Sequence, residues 1–460
     1  MHPFLARTFF RIHEGLLQRP TFARLAELRK SQWLPREQME QLRLERLREL
    51  LTIAYEHTSY WRTVMDERGV APGEVDSLDV LRKFPFLMKE TMRGRREDMV
   101  WKEQGPRVGL VRTSGSTNEA LQFYTSSFRE SQITAARMRG HEWAGIRKGD
   151  KEMYFWGSPV ELSKQDHVKH LRDFLVNDGL TNGFELTSER TPQYIDTWMR
   201  WRPKVIFGYP SSFTLLIQMA SKQGLRVSGL KDRGLRSICT TSEILTDVDR
   251  QTIEEAFGVP VFDSYGLREA GLVGYECDQR TMHTMDEHQI LETIDPVTAE
   301  PTDGEGELVI TSLISHPMPV IRYRTGDVVR ISQEPCACGR SLGRIEISGG
   351  RVADFVITNE GKWVVGYSFI YICRSIKGVA KFQVYQDKVG EIVMRVVVDE
   401  NFPSDGDEQI KTAVSKRLGG ENDIIVEHLD DIAPAPSGKY RPVIGKVADR
   451  MRQEGQMSLS

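Results

Sequence analysis

The feature that most constrains the fold is an alternation of short apolar runs with helical stretches, which begins near residue 108. Five runs typical of β-strands end in small or polar residues: VGLVRTS, EMYFWGS, KVIFGYPSS, LRSICTTSE and VPVFDSYG. Stretches with apolar residues at helical spacing, such as SSFTLLIQMASKQG and DVDRQTIEEAFG, separate them. This alternation predicts an α/β fold with a parallel sheet. Because ligands of such sheets bind at the carboxyl ends of the strands, the polar strand ends are the candidate site.

The chain on either side of this alternation has a different pattern. Residues 35–65 repeat apolar residues at helical spacing, which predicts a helical N-terminal region packed on the body. After residue 305 the runs GELVITSLI, VIRYRTGDVVRI and SLGRIEISG predict antiparallel strands. Beyond SGGR, a hairpin, a helix and a last strand predict a compact α+β module. The predicted parts are residues 1–75, 76–348 and 349–460.

Charge and cysteine content narrow the class of partner. The 460-residue chain has a net charge of -3 with acids and bases interspersed, so it lacks the basic surface typical of nucleic-acid binding and favours small-molecule partners. No apolar run approaches the roughly 18 residues of a membrane span, and the N-terminus lacks the features of a signal peptide. Five cysteines, an odd number, argue against a disulfide framework and predict a reducing cytoplasm.

The N-terminal stretch FLARTFFRIHEGLL has two interpretations. Amphipathic packing on the body is the simpler one. A role at a membrane surface is the alternative, because arginines flank its aromatic face.

The segment VRTSGSTNEA, residues 111–120, places a glycine and several hydroxyl groups after a strand-like run. Glycine lets backbone N–H groups approach a polyphosphate, and Ser or Thr hydroxyls add donors. The segment lacks the G-x-x-x-x-G-K-[ST] pattern, so a P-loop NTPase is disfavoured. Taken alone, the segment favours a plain surface turn over a phosphate-binding loop.

Six motifs in order change this interpretation. They are TSGST at 113–117, TTSE at 240–243, DSYGLREAG at 263–271, YRTGD at 323–327, GGRVAD at 349–354 and PSGKYRP at 436–442. In this order the chain resembles the adenylate-forming ligase superfamily, and within it the branch of phenylacetate-CoA ligases and CapK-like proteins. The resemblance covers about residues 75–445. It implies a large N-terminal domain that binds ATP and a carboxylic acid, with parallel sheets and a β-barrel-like part, and a small mobile α+β C-terminal domain that delivers a lysine.

The resemblance also implies roles for individual residues. It implies that Ser114, Gly115, Ser116 and Thr117 hold the β and γ phosphates of ATP, and that Ser242 and Glu243 lie against adenine. Tyr265, with Gly266 beside it, would stack on the base, and Asp327 would bind the ribose hydroxyls with help from Arg351. Glu269 would hold Mg²⁺, Arg268 would contact a phosphate, and Lys439 would reach the α-phosphate and the attacking carboxylate.

The chain departs from the usual family pattern at four positions. Asn118 and Ala120 replace a glycine and a proline that usually follow the phosphate loop, although Asn tolerates a left-handed backbone. Arg268 stands where relatives have Thr or Ser. Ala353 occupies the hinge position that is usually Asp or Lys, which bears on the domain rotation and therefore on the thioester step.

A second set of residues is suited to zinc. Cys277, His283, Cys336 and Cys338 supply three thiolates and one imidazole, a tetrahedral set typical of a closed structural site. C-x-C is tighter than the common C-x₂-C, and unrelated thiols beside a surface histidine are the alternative. The resemblance favours zinc, because relatives often carry Cys and His in these segments. His288 is a rival ligand.

Other candidates favour core roles. Cys239 and Cys373 lie in apolar runs and are expected in the core. Phe155, Trp156, Phe207 and Tyr209 stand at strand ends, where they could line an acyl pocket or belong to the core.

Three functional hypotheses remain at this point. The first is an ATP-dependent ligase that forms an acyl-adenylate and transfers the acyl group to coenzyme A. The second ligase transfers it to an amine or hydroxyl, for instance in capsule or exopolysaccharide synthesis. The third is a nucleotide-binding protein without turnover, which Lys439 and Glu269 argue against.

Overall fold

The computed structural model describes most of the chain. The described residues are 1–104, 107–112, 121–156, 167–183, 186–295, 298–351, 355–361, 363–365, 369, 372–373, 376–433 and 441–453. They fall into two compact units. Unit 1 comprises residues 1–290, 310–323 and 332–345, and unit 2 comprises 291–309, 324–331 and 346–460. The three-part division at residues 75 and 348 stays a prediction.

The helices of the described residues include the predicted ones. The pattern at 35–65 is confirmed by two consecutive helices, and the stretches SSFTLLIQMASKQG and DVDRQTIEEAFG are also helical. The α-helices are α1 Pro3–Leu16, α2 Thr21–Ser31, α3 Arg36–His57, α4 Ser59–Arg68, α5 Lys89–Gly94, α6 Ser127–Trp143, α7 His167–Leu175, α8 Thr191–Trp201, α9 Pro210–Lys222, α10 Gly229–Asp232, α11 Asp247–Phe257, α12 Gly406–Leu418 and α13 Lys446–Gln453. Short 3₁₀ turns cover Pro72–Glu74, Leu78–Lys83, Arg96–Asp98 and Lys102–Gln104.

Within the described ranges, the strands form one large sheet and three smaller ones. They are β1 Gly109–Arg112, β2 Gln122–Thr125, β3 Glu152–Trp156, β4 Asp178–Asn182, β5 Val205–Gly208, β6 Ser237–Thr241, β7 Val261–Leu267, β8 Gly271–Glu276, β9 Met282–Thr284, β10 Gln289–Ile294, β11 Glu305–Ser312, β12 Val320–Ser332, β13 Arg344–Arg351, β14 Phe355–Ile357, β15 Trp363–Val365, β16 Val379–Lys388, β17 Glu391–Val398, β18 Asp423–His428 and β19 Val443–Gly445.

The large sheet confirms the predicted α/β class. Its order runs β9-β8-β7-β6-β5-β3-β4, and β13, β12, β11 and β10 follow beyond β9. The pairs from β4 to β7 are parallel, whereas β7, β8 and β9 pair antiparallel. Parallel neighbours place their carboxyl ends at one edge of the sheet, which is the edge that matters for the site.

One strand of the predicted alternation lies elsewhere. VGLVRTS contributes β1, which pairs antiparallel with β2 in a separate two-stranded sheet. The expectation that this run joins the parallel sheet was therefore wrong. The connection between the two strands, residues 113–121, is shorter than the dozen or so residues that a parallel crossover needs.

Helices cover both faces of the parallel strands. On one face, Phe155, Ile206 and Ile238 belong to a buried cluster with Phe213 of α9 and Phe257 of α11. On the other face, the buried cluster joins Val205, Cys239 and Tyr275 to residues of α2 and α6. Fully buried strands flanked by two helical layers explain why these runs are almost continuously apolar.

The N-terminal helices are joined to the body by a buried charge network. The Arg139 guanidinium of α6 donates to Glu287 at 2.5 Å, and both side chains are fully buried. Ser31 of α2 donates to the same carboxylate at 2.5 Å, and Arg46 of α3 donates to the Glu287 carbonyl at 2.5 Å. Breaking such a pair by removing one partner costs about 3 to 5 kcal/mol.

The C-terminal elements of unit 2 follow the sequence prediction closely. β16 and β17 form the predicted hairpin, with Val384 opposite Met394. The sheet order is β18-β17-β16-β19. Ile410 and Val414 of α12 share the buried cluster of these strands, as the apolar periodicity of this helix requires.

No helix within the described ranges has both the length and the apolar character needed to cross a membrane.

Candidate functional site

The carboxyl ends of β6 and β7 hold the residues predicted to face a nucleotide base. Thr241 pairs with Ser264 across the two parallel strands, so Ser242 and Tyr265 occupy the next position on each strand. Ser242 is exposed and Tyr265 is half-buried. Ser242 has φ of 68°, a left-handed conformation that is uncommon outside glycine. Such backbone outliers concentrate at functional sites, because the surrounding structure must hold them in place.

Glu243 is fixed against the start of a helix. Its Oε2 accepts the backbone N–H of Ser211 at 3.1 Å. Ser211 is the second residue of α9, which begins directly after β5. A carboxylate at a helix N-terminus interacts favourably with the helix dipole. The hydrogen bond to Ser211 therefore gives Glu243 a defined orientation at the strand ends.

Arg268 and Glu269 lie in the turn between β7 and β8. Arg268 is exposed, whereas Glu269 is 7 % exposed. The Tyr323 hydroxyl donates to Glu269 Oε1 at 3.4 Å. The turn closes at Gly271, whose φ of 93° favours glycine. A Cβ there would lie 3.0 Å from the Ile133 side chain on α6.

Arg129 of α6 supports this turn and was missed by the sequence prediction. Its guanidinium is buried and donates to the Arg268 carbonyl at 2.6 Å and to Ser315 Oγ at 3.2 Å. Burial lowers the pKa of Arg129, and the nearby carboxylates of Glu130 and Glu269 oppose that shift. The helix dipole disfavours a cation in the first turn of a helix. The position of Arg129 in the first turn of α6 was therefore the one sequence signal that could have indicated a special role.

Asp263 is a buried carboxyl just before this edge of the sheet. Thr240 Oγ1 donates to its Oδ1 at 2.7 Å, and its own N–H donates to Glu276 Oε2 at 2.8 Å. Burial raises the pKa of Asp263 to about 7. The group therefore changes protonation near neutral pH, two residues from Tyr265.

The aromatic strand ends divide into two kinds. Phe155 is fully buried in the core, in edge contact with Trp198 and Phe213. Trp156 is half-buried and stacks on Tyr209, with ring centroids 4.3 Å apart. The core interpretation holds for Phe155, and the Trp156–Tyr209 pair stays a candidate for the acid pocket.

Asp327 and Arg351 belong to unit 2. Asp327 is 9 % exposed, and its N–H donates to Thr325 Oγ1 at 3.0 Å. The neighbouring Arg324 forms an ion pair with Glu307, whose Oε1 also accepts the Gly326 N–H at 3.1 Å. Residues 324–327 of the YRTGD motif are thus held by contacts within unit 2. Arg351 ends β13, and its side chain lies outside the described part.

Several predicted residues lie outside the described residues. They are the phosphate-loop residues Ser114, Gly115, Ser116 and Thr117, the departures Asn118, Ala120 and Ala353, and the predicted catalytic Lys439.

The four predicted metal ligands converge in unit 1. Their ligand atoms all lie within 4.8 Å of one another. Cys277 Sγ is 3.9 Å from Cys336 Sγ, and His283 Nε2 is 3.1 Å from Cys338 Sγ. Two thiolates on a tetrahedral zinc, with Zn–S bonds of about 2.3 Å, would lie about 3.8 Å apart. The donor set and its spacing therefore fit zinc.

The histidine of this cluster is oriented for ligation. His283 Nδ1 lies 3.2 Å from the Leu342 carbonyl and 3.3 Å from the Gly343 carbonyl, and carbonyl oxygens only accept. The ring proton therefore sits on Nδ1, and Nε2 keeps its lone pair for a metal. Burial raises the pKa of the Cys277 thiol to about 12 and lowers the pKa of His283.

His288, the rival ligand, is not part of this cluster. Its Nε2 lies 3.1 Å from Gln132 Oε1 on α6, in a fully buried position. Burial and the neighbouring Arg46 lower the pKa of His288 to about 3, so it is neutral.

Comparison with known proteins places the chain among acid-activating ligases and their relatives. Residues 356–446 match the family described as the CapK C-terminal domain. A phenylacetate-coenzyme A ligase of Pseudomonas putida is 30% identical over 334 residues, which are 69% of this chain and 72% of that protein. Protein CapK of Staphylococcus aureus is 21% identical over 412 residues, which are 88% of this chain and 89% of that protein.

A solved structure shares the whole fold. A 2-hydroxyisobutyryl-CoA ligase, in the postadenylation state in complex with R3-HIB-AMP, aligns with a TM-score of 0.72 and 20% identity over 93% of this chain and 94% of that one. Three observations indicate the same family: the parallel strands, the ordered motifs at their ends, and the extent of the match to the Pseudomonas putida enzyme. The chain belongs to the phenylacetate-coenzyme A ligase family.

Proposed function

We propose that this protein is an AMP-forming acid–thiol ligase, which activates a carboxylic acid with ATP and transfers the acyl group to coenzyme A. Membership of the phenylacetate-coenzyme A ligase family is the observation that carries the proposal. The strand-end arrangement of Ser242, Glu243, Tyr265 and Glu269 supports it, because these side chains share one edge of the parallel sheet.

Residues from several of the sequence motifs would hold the nucleotide. Tyr265 would stack on the adenine beside Ser242 and Glu243, and Asp327 with Arg351 would accept and support the ribose hydroxyls. Ser114, Gly115, Ser116 and Thr117 would donate to the β and γ phosphates.

Charge neutralisation is the main demand of the first step. The substrate carboxylate attacks the α-phosphorus of ATP, the bond to the pyrophosphate leaving group breaks, and an acyl-adenylate forms. Two anions meet in this step, so Lys439 would stabilise the charge on the α-phosphoryl oxygens and Arg268 would contact a phosphate. Glu269, a buried carboxylate oriented by Tyr323, suits a hard cation, and Mg²⁺ bound there would neutralise phosphate charge.

The second step transfers the acyl group to sulfur. The coenzyme A thiol loses its proton and attacks the acyl carbonyl carbon, and AMP leaves. The Trp156–Tyr209 pair would contribute an apolar wall beside the acid. The identity of the acid depends on pocket contacts in which one methylene changes preference by only about 1 to 3 kcal/mol.

A panel of carboxylic acids tests the proposal. Pyrophosphate release should require both ATP and an acid, and adding coenzyme A should convert the product to a thioester with release of AMP. The Lys439→Ala variant should lose about 10²-fold or more of the rate. Lys416→Ala, an exposed lysine on α12, is the matched control and should retain it. Undiminished acid-dependent pyrophosphate release by Lys439→Ala would remove the lysine from the mechanism.

An acceptor other than coenzyme A is the second candidate. Protein CapK of Staphylococcus aureus matches a larger share of this chain than the Pseudomonas putida ligase does, although with lower identity. In this version an amine or hydroxyl attacks the acyl-adenylate. Product formation with amine or hydroxyl acceptors, and none with coenzyme A, would select it. ATP binding with no acid-dependent turnover would reject both versions.

We also propose that Cys277, His283, Cys336 and Cys338 bind one structural zinc ion. Four protein ligands complete a tetrahedron and leave no position open for water, which suits structure rather than chemistry. Unbound thiols stay reduced in the cytosol, which supports a cytoplasmic location. Protein purified without chelator should carry about one zinc per chain by elemental analysis. A metal-free preparation with unchanged thermal stability would reject this site.

A further inference from the structure

The backbone carbonyl group that precedes Glu269 accepts a hydrogen bond from a buried cation. Arg129 Nη2 donates to the Arg268 carbonyl at 2.6 Å, and Arg129 Nε donates to Ser315 Oγ at 3.2 Å. The arginine is 3% exposed, and Glu130 at 3.7 Å balances part of its charge. Because two nitrogens of one planar group make these bonds, the guanidinium fixes the direction of the Arg268 carbonyl.

A pair of hydroxyl groups extends this contact to the other side of Glu269. Ser315 Oγ lies 2.8 Å from Ser312 Oγ, and Ser312 Oγ donates to the Ala270 carbonyl at 3.5 Å. Both serines are buried. Arg129, Ser315 and Ser312 form the turn clamp, which bonds the carbonyl groups on both sides of Glu269.

Gln289 of β10 holds the end of the same turn independently of the turn clamp. Its Nε2 donates to the Leu272 carbonyl at 2.7 Å and to the Ala270 carbonyl at 3.4 Å. The start of β8 therefore keeps a partner when the clamp is altered. A displacement after such a change should fall mainly on Arg268 and Glu269.

The Glu269 carboxylate depends on this backbone for its position. Its hydrogen bond from the Tyr323 hydroxyl is 3.4 Å long, whereas strong O–H···O bonds are about 2.7 to 2.8 Å. So long a bond is weak. The backbone of the turn must therefore contribute to placing the carboxylate.

We propose that Arg129 is a positioning residue for Glu269 and acts through the turn clamp. This inference rests on the proposed function, in which Glu269 would hold Mg²⁺. That ion requires near-ideal octahedral geometry with oxygen ligands at about 2.0 to 2.1 Å, so a small displacement of the turn would impair its binding. A ligand set keeps its geometry within about 0.5 Å only when the residues behind it are themselves locked. Arg129 supplies that support.

Kinetics of Arg129→Lys and Ser315→Ala test the inference. Lysine keeps the charge but cannot bond Arg268 and Ser315 from one planar group, so kcat for pyrophosphate release should fall about tenfold or more. The Mg²⁺ concentration that gives half the maximal rate should rise, and the KM for the acid should not change. Ser131→Ala is the matched control, because Ser131 is buried on the same helix and donates to the Phe128 carbonyl. It should change neither quantity.

A double substitution shows whether Arg129 acts through Glu269. In a Glu269→Gln background, Arg129→Lys should cost less than about twofold in kcat, because the carboxylate that it positions is already gone. Equal losses in both backgrounds would overturn the inference.

Amide hydrogen exchange gives a readout that does not depend on turnover. Exchange over residues 263–276 should be faster in Arg129→Lys and in Ser315→Ala than in the unmodified chain, and unchanged in Ser131→Ala. Unchanged exchange or unchanged kcat in Arg129→Lys would overturn the inference and leave the proposed function intact. An unmodified chain that releases no pyrophosphate with any acid would reject the proposed function and, with it, the role of Arg129.

Discussion

The strand-end site and the cysteine–histidine cluster lie in the same unit and are built in opposite ways. At the strand ends two carboxylates are held by neighbouring groups: Glu243 by the Ser211 N–H and Glu269 by the Tyr323 hydroxyl. In the cluster the functional atoms face one another, with sulfur and nitrogen 3.1 Å apart at Cys338 and His283.

With the proposed function, this difference predicts that the strand-end residues act in catalysis and that the cluster stabilises the fold. Groups held apart, with partners behind them, remain available to an incoming ligand. Groups that converge on one point are satisfied only when that point is filled. We therefore expect changes at the strand ends to alter catalysis with little effect on unfolding, and changes in the cluster to do the reverse.

The largest effect should come from disrupting the proposed zinc site. Cys338→Ser should lose the bound zinc and lower the free energy of unfolding by several kcal/mol, because structural zinc contributes about 10 to 16 kcal/mol of binding in small domains. Elemental analysis measures the zinc content, and thermal unfolding measures the loss of stability. Cys373→Ala, a buried thiol of unit 2 outside the cluster, is the control that should keep its zinc. Zinc content unchanged in Cys338→Ser would contradict the assignment.

The second-largest effect should come from the substitution Glu269→Gln. Glu269→Gln keeps an oxygen for the Tyr323 hydroxyl but removes the negative charge, so kcat for pyrophosphate release should fall about 10²-fold with the unfolding midpoint unchanged. Glu254→Gln, on α11, where the carboxylate accepts from Arg280, should leave kcat unchanged. A large loss of stability in Glu269→Gln would contradict the proposed separation of catalytic residues from stabilising ones.

Asp263 should make the stability of the strand-end region depend on pH. Its pKa is raised by burial from 3.8 to about 7, so the folded protein holds a proton that the unfolded chain has released between these values. The stabilisation is complete below about pH 3.8 and is lost as pH rises through about 7, with a slope of at most about 1.4 kcal/mol per pH unit.

Asp263→Asn tests this dependence. The amide oxygen can still accept from Thr240, but the titrating group is gone, so the fall in unfolding free energy with rising pH should be shallower. Denaturant unfolding across this pH range measures the slope. An identical slope in the variant and the unmodified chain would rule out Asp263 as the titrating group.

The smallest effect should come from Glu243. Glu243→Gln keeps the hydrogen bond to Ser211 but loses the charge at the start of α9, a contribution of about 0.3 to 1 kcal/mol. The KM for ATP should rise no more than about fivefold, with kcat unchanged. Glu255→Gln, exposed on α11, should show no change. A fall in kcat instead would place Glu243 among the groups that act in the transition state.

Local patterns in the sequence predicted much of the fold. The runs at β3, β5, β6 and β7 and the helices α9 and α11 follow from apolar periodicity, because each element buries a face of fixed period. The same reasoning placed VGLVRTS in the parallel sheet, where it does not belong, since periodicity identifies a strand but not its partner.

The candidate site was only partly predictable for the same reason. Ser242, Tyr265 and Glu269 stand in short contiguous motifs, and Cys336 and Cys338 share one segment. Arg129 and Tyr323 reach the Glu269 turn from distant parts of the chain. Arg129 belongs to none of the six motifs. Tyr323 begins the YRTGD motif, but nothing local in that motif predicts a contact with the Glu269 turn.

The sequence by itself determined which residue types are present, which stretches form helices and strands, and in what order the motifs occur, because backbone propensity and apolar period are local properties. The tertiary structure alone decided which side chains meet: that His283 and not His288 lies against the thiols, that a buried arginine supports the Glu269 turn, and that α1 packs on the body through Phe10. These outcomes depend on contacts between residues far apart in the chain, whose geometry is set only when the sheet and its helical layers pack together.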